Sequence, residues 1–548
     1  MPPARSSAAE ESCAQQESCA QPAAAVADDT RSLLAEGLRV GNIMLPTALG
    51  NVAEYLPVCT GIALVGHLPG ASTAADLDAL ALARCYFNIV CMAPGFGYIS
   101  ALRTVCPQAV GAGKPCSLHY QRALILIMVG FLPALPCLLW SEQVMVAAGQ
   151  PSDLAARAAP YALRLAPSYF GVVGMSATQR IFQAHGYNWA NLAITLAVCA
   201  LAPGLQWLLV HRLGLGYLGA AWAQSLYNSL YPLAQVPYLV WRGHGRCFVP
   251  QPPSQLLRRS ALVEHLKLVA AGFWMVVLEW WVCEAIVMLS GLLAHPVACI
   301  GASTVVANLQ ALGCMGWIGV AVAASTTVGQ YVGAGSVHLA RRAAALSLVI
   351  GCALAATAAA SLVAGATPIA GLFTTDGAIS DLTAALMPLL GGVVLVDAAN
   401  NALGGVCSGL GLQRWSAAGQ LVGYYLVGMP AGCALAFGAA HRAERGIFYL
   451  WGGVGLSMLT AAAVQATAIL RLDWSVAART AARRLAKDED AAAVLPASEG
   501  GAAPAQEGGS SGTQRQDGVG GGGAGGACAP EPSSLAQRLL PAPRGAPP

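Results

Sequence analysis

Long apolar runs separated by short polar stretches dominate the chain between about residues 42 and 471. Each run holds about twenty residues, enough to cross a hydrocarbon core roughly 30 Å thick as a helix. The pattern therefore predicts an all-α integral membrane protein with twelve transmembrane helices. The predicted spans lie near 42–65, 79–102, 122–140, 158–180, 190–211, 217–241, 266–293, 297–326, 343–366, 381–408, 417–440 and 446–471.

The composition supports this interpretation, because 56% of the residues are hydrophobic and only 10% are charged. Soluble domains carry about 25% charged residues. The lipid bilayer is therefore the expected surrounding, and a net charge of +3 gives no indication of nucleic acid binding. Many of the 17 cysteines, such as Cys85 and Cys352, lie inside apolar runs, where they are expected to be core residues. No metal site and no cofactor are expected.

Basic residues indicate how the chain is oriented in the membrane. Lys114, Arg258, Arg341 and others gather in the loops that follow even-numbered runs. The positive-inside rule places these loops and both chain ends in the cytoplasm. Residues 1–39 and 474–548 are expected to be cytoplasmic tails, largely disordered, and the second is of low complexity.

An internal repeat organises the chain into two parts. The segments "GYISALRTVCPQAVGAG" (97–113) and "GVAVAASTTVGQYVGAG" (319–335) match at an offset of 222. Six predicted helices separate them, so the two parts have the same orientation. This predicts two pseudo-symmetric six-helix lobes, which is a common transporter plan. The N-lobe covers 40–242, a basic cytoplasmic linker 243–265 and the C-lobe 266–473.

The glycines that end each repeat segment have two interpretations. "VGAGKP" resembles a phosphate-binding loop, but that motif requires glycine where Gln108 stands and Ser or Thr where Pro115 stands. A tight turn at a helix end is the favoured interpretation.

Three carboxylates lie near the middle of apolar runs: Glu54 in the first, Glu279 in the seventh and Asp397 in the tenth. An ionisable group at that depth costs about 2.5–3.5 kcal/mol, so a functional role is the default interpretation. A shift of 225 takes Glu54 to Glu279, which suggests equivalent acids in the two lobes. The alternative is that these acids are protonated or paired internally and only hold helices together.

Other residues of the seventh run are candidates of lower rank. Glu284 follows Glu279 by five residues, about 140° around a helix, and is expected at the margin of the cavity. Trp280 and Trp281 could bind an organic cation through their ring faces, or could be anchors at the membrane interface. Tyr424 is a similar candidate on weaker grounds.

Several segments resemble one transporter family: "LEWWVCEAIVMLSGLL", "VAASTTVGQYVGAG", "APSYFGVVGMSATQRIFQAHG" and "GQLVGYYLVGMP". The chain resembles the eukaryotic branch of the multidrug and toxic compound extrusion (MATE) transporters over about residues 35–475. The resemblance implies two six-helix lobes, alternating access, and export of organic cations or other small molecules by proton or sodium antiport.

The same resemblance assigns roles to single residues. It implies that Glu279, Glu284 and Asp397 form the cation-binding core of the C-lobe, and that Asn88 lines the N-lobe cavity. Arg103 departs from the family pattern, because relatives often carry an acid there. The role of the N-lobe in coupling is therefore left open.

The expected function is secondary active antiport of organic cations, xenobiotics or other small metabolites in the plasma membrane or a vacuolar-type membrane. The runner-up is a flippase for lipid-linked precursors, which would require basic residues in the cavity, where mid-span Arg and Lys are scarce. An enzyme is not expected, since neither HExxH nor GxSxG occurs.

Overall fold

The computed structural model describes residues 32–68, 73–293, 295–374, 376–439 and 445–493, with the backbone alone at 283–284, 287–288 and 488–493. Helices make up nearly all of these ranges, and no strand occurs within them. The all-α prediction is therefore confirmed.

The N-terminal half, as defined here, consists of the first eleven helices and the short π-helical turns between them. The helices are α1 (Leu33–Gly66), α2 (Thr73–Phe87), α3 (Ala93–Tyr98), α4 (Leu102–Gly111), α5 (Ser117–Phe131), α6 (Ala134–Leu139), α7 (Ser141–Ala147), α8 (Ser152–Arg164), α9 (Ala166–His185), α10 (Asn188–Trp207) and α11 (Gly216–Leu239). The π-helical turns are Asn88–Met92, Leu208–Arg212 and Val240–His244. A 3₁₀ turn (Gly245–Cys247) and the short helix α12 (Pro253–Leu256) lead out of this half.

The C-terminal half consists of α13 to α20, and one more helix follows it. The helices are α13 (Arg259–Ser290), α14 (Pro296–Gly333), α15 (Val337–Ala364), α16 (Ala366–Phe373), α17 (Gly377–Leu410), α18 (Gln413–Gln420), α19 (Met429–Ala434), α20 (Gly446–Leu470) and α21 (Trp474–Ala493). The π-helical turns Leu421–Gly428 and Leu435–Ala439 flank α19.

Within the described residues, nine helical stretches are long and apolar enough to cross a membrane. They coincide with nine of the twelve predicted spans. The other three, 122–140, 158–180 and 217–241, are helical as well, but two of them are interrupted, at Leu132–Pro133 and at Leu165. The third, α11, carries Gln224, Asn228 and Gln235. Within the described residues these three do not reach the same combination of length and apolar composition.

Each half buries an apolar cluster of its own. The cluster of the N-terminal half includes Leu102 and Phe182, and it also takes in Leu268 from α13. The cluster of the C-terminal half includes Met387 and Trp451. Two cores of this kind are what a duplicated six-helix unit would form.

The two halves meet where α14 packs on α1 and α4, and where α13 packs on α3. We call this contact the seam. Glycines of the repeat lie in it: a Cβ at Gly97 would lie 2.8 Å from the Cα of Phe273, and a Cβ at Gly319 would lie 3.1 Å from the Cβ of Ala48. Ala48 and Phe273 are themselves related by the shift of 225. The repeat therefore encodes a pseudo-symmetric contact between the halves.

The glycines at the ends of α4 and α14 form the predicted turns. Gly113 and Gly335 have φ of 71° and 77°, a region that favours glycine. The N–H of Lys114 donates to the carbonyl of Ala109 at 2.8 Å, and Ser336 closes the equivalent turn on Tyr331 at 2.9 Å. These are helix C-caps of the Schellman type, and the prediction of a turn is confirmed.

The ends of the helical region extend beyond the predicted boundaries. Helix α1 begins at Leu33, inside the segment 1–39 that was expected to be a tail. The segment expected to be a tail from 474 is helical over Trp474–Ala493. The sequence there looks simple, but it carries an apolar stripe that is buried in the structure: Trp474, Ala477, Ala481 and Leu485. Residues 1–31 and 494–548 lie outside the described residues.

Candidate functional site

Glu279 lies on α13 and is half-buried. Its Oε2 accepts a hydrogen bond at 3.3 Å from Nε2 of Gln420, the last residue of α18. Gln420 is buried, so the amide is held in place. The amide is a neutral donor, so the one positive charge that acts on this carboxylate among the described residues is that of Arg103, across the seam.

Asp397 lies on α17 and is 1% exposed. Asn401, one turn further along the helix, donates to its Oδ1 at 2.9 Å. The other oxygen, Oδ2, has no hydrogen-bond partner among the described residues. A buried carboxylate oxygen without a donor is costly in an apolar surrounding, and uptake of a proton would lower that cost.

The structure brings these two acids near each other. The charge of Glu279 acts on Asp397 through the apolar interior of the C-terminal half. Two like charges at close quarters in a medium of low polarity repel strongly. Uptake of a proton by either acid would relieve that repulsion. Binding of a cation by the pair stays a prediction.

The aromatic candidates have different surroundings. Trp280 and Trp281 are 38% and 44% exposed, and the Trp280 ring lies 5.6 Å from that of Phe96, which belongs to α3 of the other half. Tyr424 is fully buried in the apolar cluster of the C-terminal half. Trp280 therefore adjoins the space between the halves, whereas Tyr424 lies within one of them. Whether these rings bind substrate stays a prediction.

Glu54 is the acid of the N-terminal half, and it lies half-buried on α1. Gln179 of α9 donates to its Oε1 at 3.2 Å. The arrangement repeats that of Glu279 with Gln420: one carboxylate and one glutamine amide from another helix. The next residue, Arg180, adds a positive charge that acts on Glu54. Arg180 itself donates to Gln183 at 2.8 Å.

Asn88 lies half-buried at the start of the π-helical turn Asn88–Met92, between α2 and α3. The π-helical geometry interrupts the regular helical hydrogen bonding, and such turns are frequent at functional sites. Its role in lining a cavity stays a prediction.

Comparison with known proteins identifies the family. The family model described as MatE matches residues 46–208 and 273–433, which is more than half of the chain and falls once on each half. The chain belongs to the MATE family. This is a family of transporters, so the expectation that the chain is not an enzyme agrees with it.

Individual MATE proteins are similar to this chain over most of its length. Protein DETOXIFICATION 14 of Arabidopsis thaliana is 29% identical over 461 residues, covering 83% of this chain and 92% of that protein. Multidrug and toxin extrusion protein 2 of Mus musculus is 28% identical, covering 80% of this chain and 74% of that protein. The crystal structure of the eukaryotic MATE transporter AtDTX14 matches with a TM-score of 0.76 at 27% identity, covering 83% of this chain and 99% of that structure.

Sequence reasoning missed three of the polar residues that this structure places at the acids. Gln420 and Gln179 each provide the amide for one carboxylate, and Arg180 adds a positive charge near Glu54. Gln420 occurs within "GQLVGYYLVGMP", one of the segments that carry the family resemblance. A lone Gln or Arg in an apolar run was the available signal, but its partner depends on how helices distant in sequence pack.

The structure also shows the surroundings of two asparagines of α17, Asn400 and Asn401, and of Arg103 on α4. Asn401 binds Asp397, as described above. Asn400 accepts a hydrogen bond from Gln465 of α20 at 3.1 Å and so links two helices. Arg103 lies half-buried on α4, where its charge acts on Glu279 across the seam and on Arg180 within its own half. Electrostatic interactions thus run from the acid of one half to the acids of the other.

Glu284 also belongs to α13, but its side chain lies outside the described residues. Its place at the cavity margin stays a prediction.

Proposed function

We propose that this MATE-family chain is a secondary active antiporter. It exports organic cations and other small xenobiotics or metabolites in exchange for protons, or for sodium, by alternating access. The names of its relatives, which refer to detoxification and to multidrug and toxin extrusion, support the substrate class.

The observation that carries the proposal is the pair formed by Glu279 and Asp397. Both carboxylates lie within membrane-spanning helices of one half, each beside a neutral amide, and their charges act on each other. A deprotonated pair binds a cation, and a pair that has taken up a proton releases it. Because the two positive species compete for the same charge, a gradient of the coupling ion drives the substrate outward.

The proposed architecture has twelve spans in two six-helix lobes, with both chain ends in the cytoplasm of a plasma membrane or vacuolar-type membrane. The repeat, the separate apolar clusters and the two family matches support two lobes. The basic loops support the orientation. A reporter fused after residue 493 tests it: accessibility from outside intact cells, for a protein shown to be in the plasma membrane, would contradict the proposal.

The most informative experiment is counterflow with the purified chain in proteoliposomes. Labelled quaternary ammonium compounds and neutral drugs are offered under an imposed proton gradient, and then under a sodium gradient. We expect uptake of cationic compounds driven by one of the two ions. Transport that follows neither gradient would contradict antiport. Transport of labelled lipid-linked precursor instead would favour the flippase, which the names of the relatives do not.

A further inference from the structure

Two glutamines of the repeat close one end of the seam. Gln108 on α4 and Gln330 on α14 are equivalent at the offset of 222, and both are buried. The Nε2 of Gln108 donates to the carbonyl of Gly409 at 2.8 Å, and the Nε2 of Gln330 donates to the carbonyl of Ala184 at 2.7 Å. Each bond joins one half to the other, and the shift of 225 relates Ala184 to Gly409.

The backbone at this point leaves no space between the halves. A Cβ at Gly111 would collide with the carbonyl of Gln330, and a Cβ at Gly333 would collide with that of Gln108. A solute cannot pass between segments in such close contact. The seam is therefore shut at the end that the proposed orientation assigns to the cytoplasm.

An arginine holds each of these glutamines across the seam. The Nη2 of Arg39, near the start of α1, donates to Oε1 of Gln330 at 2.5 Å. The Nη1 of Arg484, on α21, donates to Oε1 of Gln108 at 3.0 Å. Hydrogen bonds from a charged donor are about twice as strong as neutral ones.

Arg39 and Arg484 do not occupy equivalent positions of the repeat. The shift of 225 takes Arg39 to Glu264 on α13, which is an acid and cannot donate to an amide oxygen. Arg484 supplies the guanidinium instead, and Glu264 holds it, with 3.9 Å between Oε2 and the arginine Nε. Lys487 forms a second ion pair with Glu264. Helix α21, which lies outside the repeat, thus supplies to Gln108 the guanidinium that Arg39 supplies to Gln330.

Several contacts fix the position of helix α21, which carries Arg484. The backbone N–H of Ser475 donates to Asp473 at 2.9 Å, and hydrogen bonds from Ser475 lower the pKa of the Asp473 carboxyl. The guanidinium of Arg341 lies 5.8 Å from the centre of the Trp474 ring. Trp474, Ala477 and Ala481 of the buried stripe pack against α14, α15 and the end of α17.

We propose that Gln108 and Gln330, held by Arg484 and Arg39, are a paired gate, and that α21 is a working part of the transporter. The inference rests on the proposed function, because alternating access requires this end to open once in each cycle. Arg39 and Arg484 are positioning residues: they stabilise the closed seam and have no contact with the substrate.

The test measures the seam directly, so that its result does not depend on the coupling ion or substrate. Cys106 and Cys407 are fully buried free thiols, two residues before Gln108 and Gly409. The purified full chain is treated with a maleimide, and modification of each cysteine is followed by peptide mapping. Arg484→Ala and Arg39→Ala are compared with wild type and with Arg479→Ala. Arg479 lies on the same helix but pairs only with exposed Asp473 among the described residues.

We expect labelling of Cys106 or Cys407 to rise at least about tenfold in Arg484→Ala and in Arg39→Ala, because each change removes at least one charged hydrogen bond that stabilises the closed seam. Arg39 also donates to the hydroxyl of Tyr331 on α14. Arg479→Ala should label like wild type. Tryptophan fluorescence on heating checks that each variant is folded. If Arg484→Ala does not fold, Arg39→Ala tests the gate without disturbing α21. Labelling equal to that of Arg479→Ala in folded variants would overturn the proposal, even if antiport itself is confirmed.

Discussion

The N-terminal and C-terminal halves place an acid at the same point but surround it differently. Glu54 and Glu279 are related by the shift of 225, and each accepts a hydrogen bond from a glutamine of another helix. Both acids interact with an arginine, Glu279 with Arg103 and Glu54 with Arg180, but Glu279 also interacts with a second acid, Asp397. A positive neighbour satisfies a carboxylate, and a negative neighbour makes it attract a cation.

This difference teaches that duplication preserves a scaffold more readily than it preserves chemistry. Backbone contacts at the seam recur in both halves because a glycine is needed wherever two helices cross closely. Charges can change once one copy of the site is sufficient. We therefore expect the C-terminal half to bind the coupling ion and substrate, and the N-terminal half to adjust the conditions under which it does so.

The largest effect is expected from the C-terminal acids. Glu279→Gln keeps the shape and removes the charge, so gradient-driven exchange should fall at least about thirtyfold, since a buried cation that loses its carboxylate partner loses about 2–5 kcal/mol of binding. Asp397→Asn should reduce gradient-driven exchange by a similar factor. Transport in proteoliposomes, normalised to inserted protein, measures the change.

Abundance and melting temperature of both variants should remain near those of wild type. The structural alternative makes the opposite prediction: lower abundance and lower melting temperature, with residual transport in proportion to the protein present.

A smaller effect is expected in the N-terminal half. Glu54→Gln can retain a hydrogen bond with Gln179 and leaves Arg180 in place, so exchange should persist within about threefold. Its pH optimum should move, because one titrating group near the transport path has been removed. A pH profile of exchange measures this. Complete loss of transport in folded Glu54→Gln protein would show that transport requires the acids of both halves. It would contradict the difference drawn here between Glu54 and Glu279.

The third prediction concerns Glu284, at five residues from Glu279 on the same helix. Because five residues correspond to about 140° of rotation around a helix, Glu284→Gln should change exchange by no more than about twofold, as for a position outside the site. Initial rates under the same gradient test this. A loss as large as that of Glu279→Gln would move Glu284 into the binding core.

The smallest effect is expected from the chain ends. Removal of residues 1–31 and 494–548 takes away no residue of α1 or α21, so turnover per inserted molecule should stay within about twofold of wild type. A matched deletion of 474–548, which removes α21, should reduce turnover more. Equal turnover after both deletions would show that α21 is dispensable.

Much of the fold followed from the sequence, because apolar runs and glycine spacing are local signals. The acids at positions 54, 279 and 397 stood out for the same reason: a charge in an apolar run is visible without any structure. Their amide partners were not visible, since Gln179 and Gln420 approach the acids only through packing between distant helices. Arg39 and α21 lie in segments that the sequence predicts to be tails. The polar residues of these segments give no sign that part of each is buried in the structure.

The central claim is that substrate and coupling ion compete for the carboxylates of the C-terminal half. Binding of a quaternary ammonium compound that supports counterflow, such as tetraethylammonium, can be measured on purified protein across a series of pH values and sodium concentrations. We predict that its apparent affinity falls as the coupling ion is raised, and that Glu279→Gln loses this dependence. The same dependence in wild type and Glu279→Gln would contradict the account.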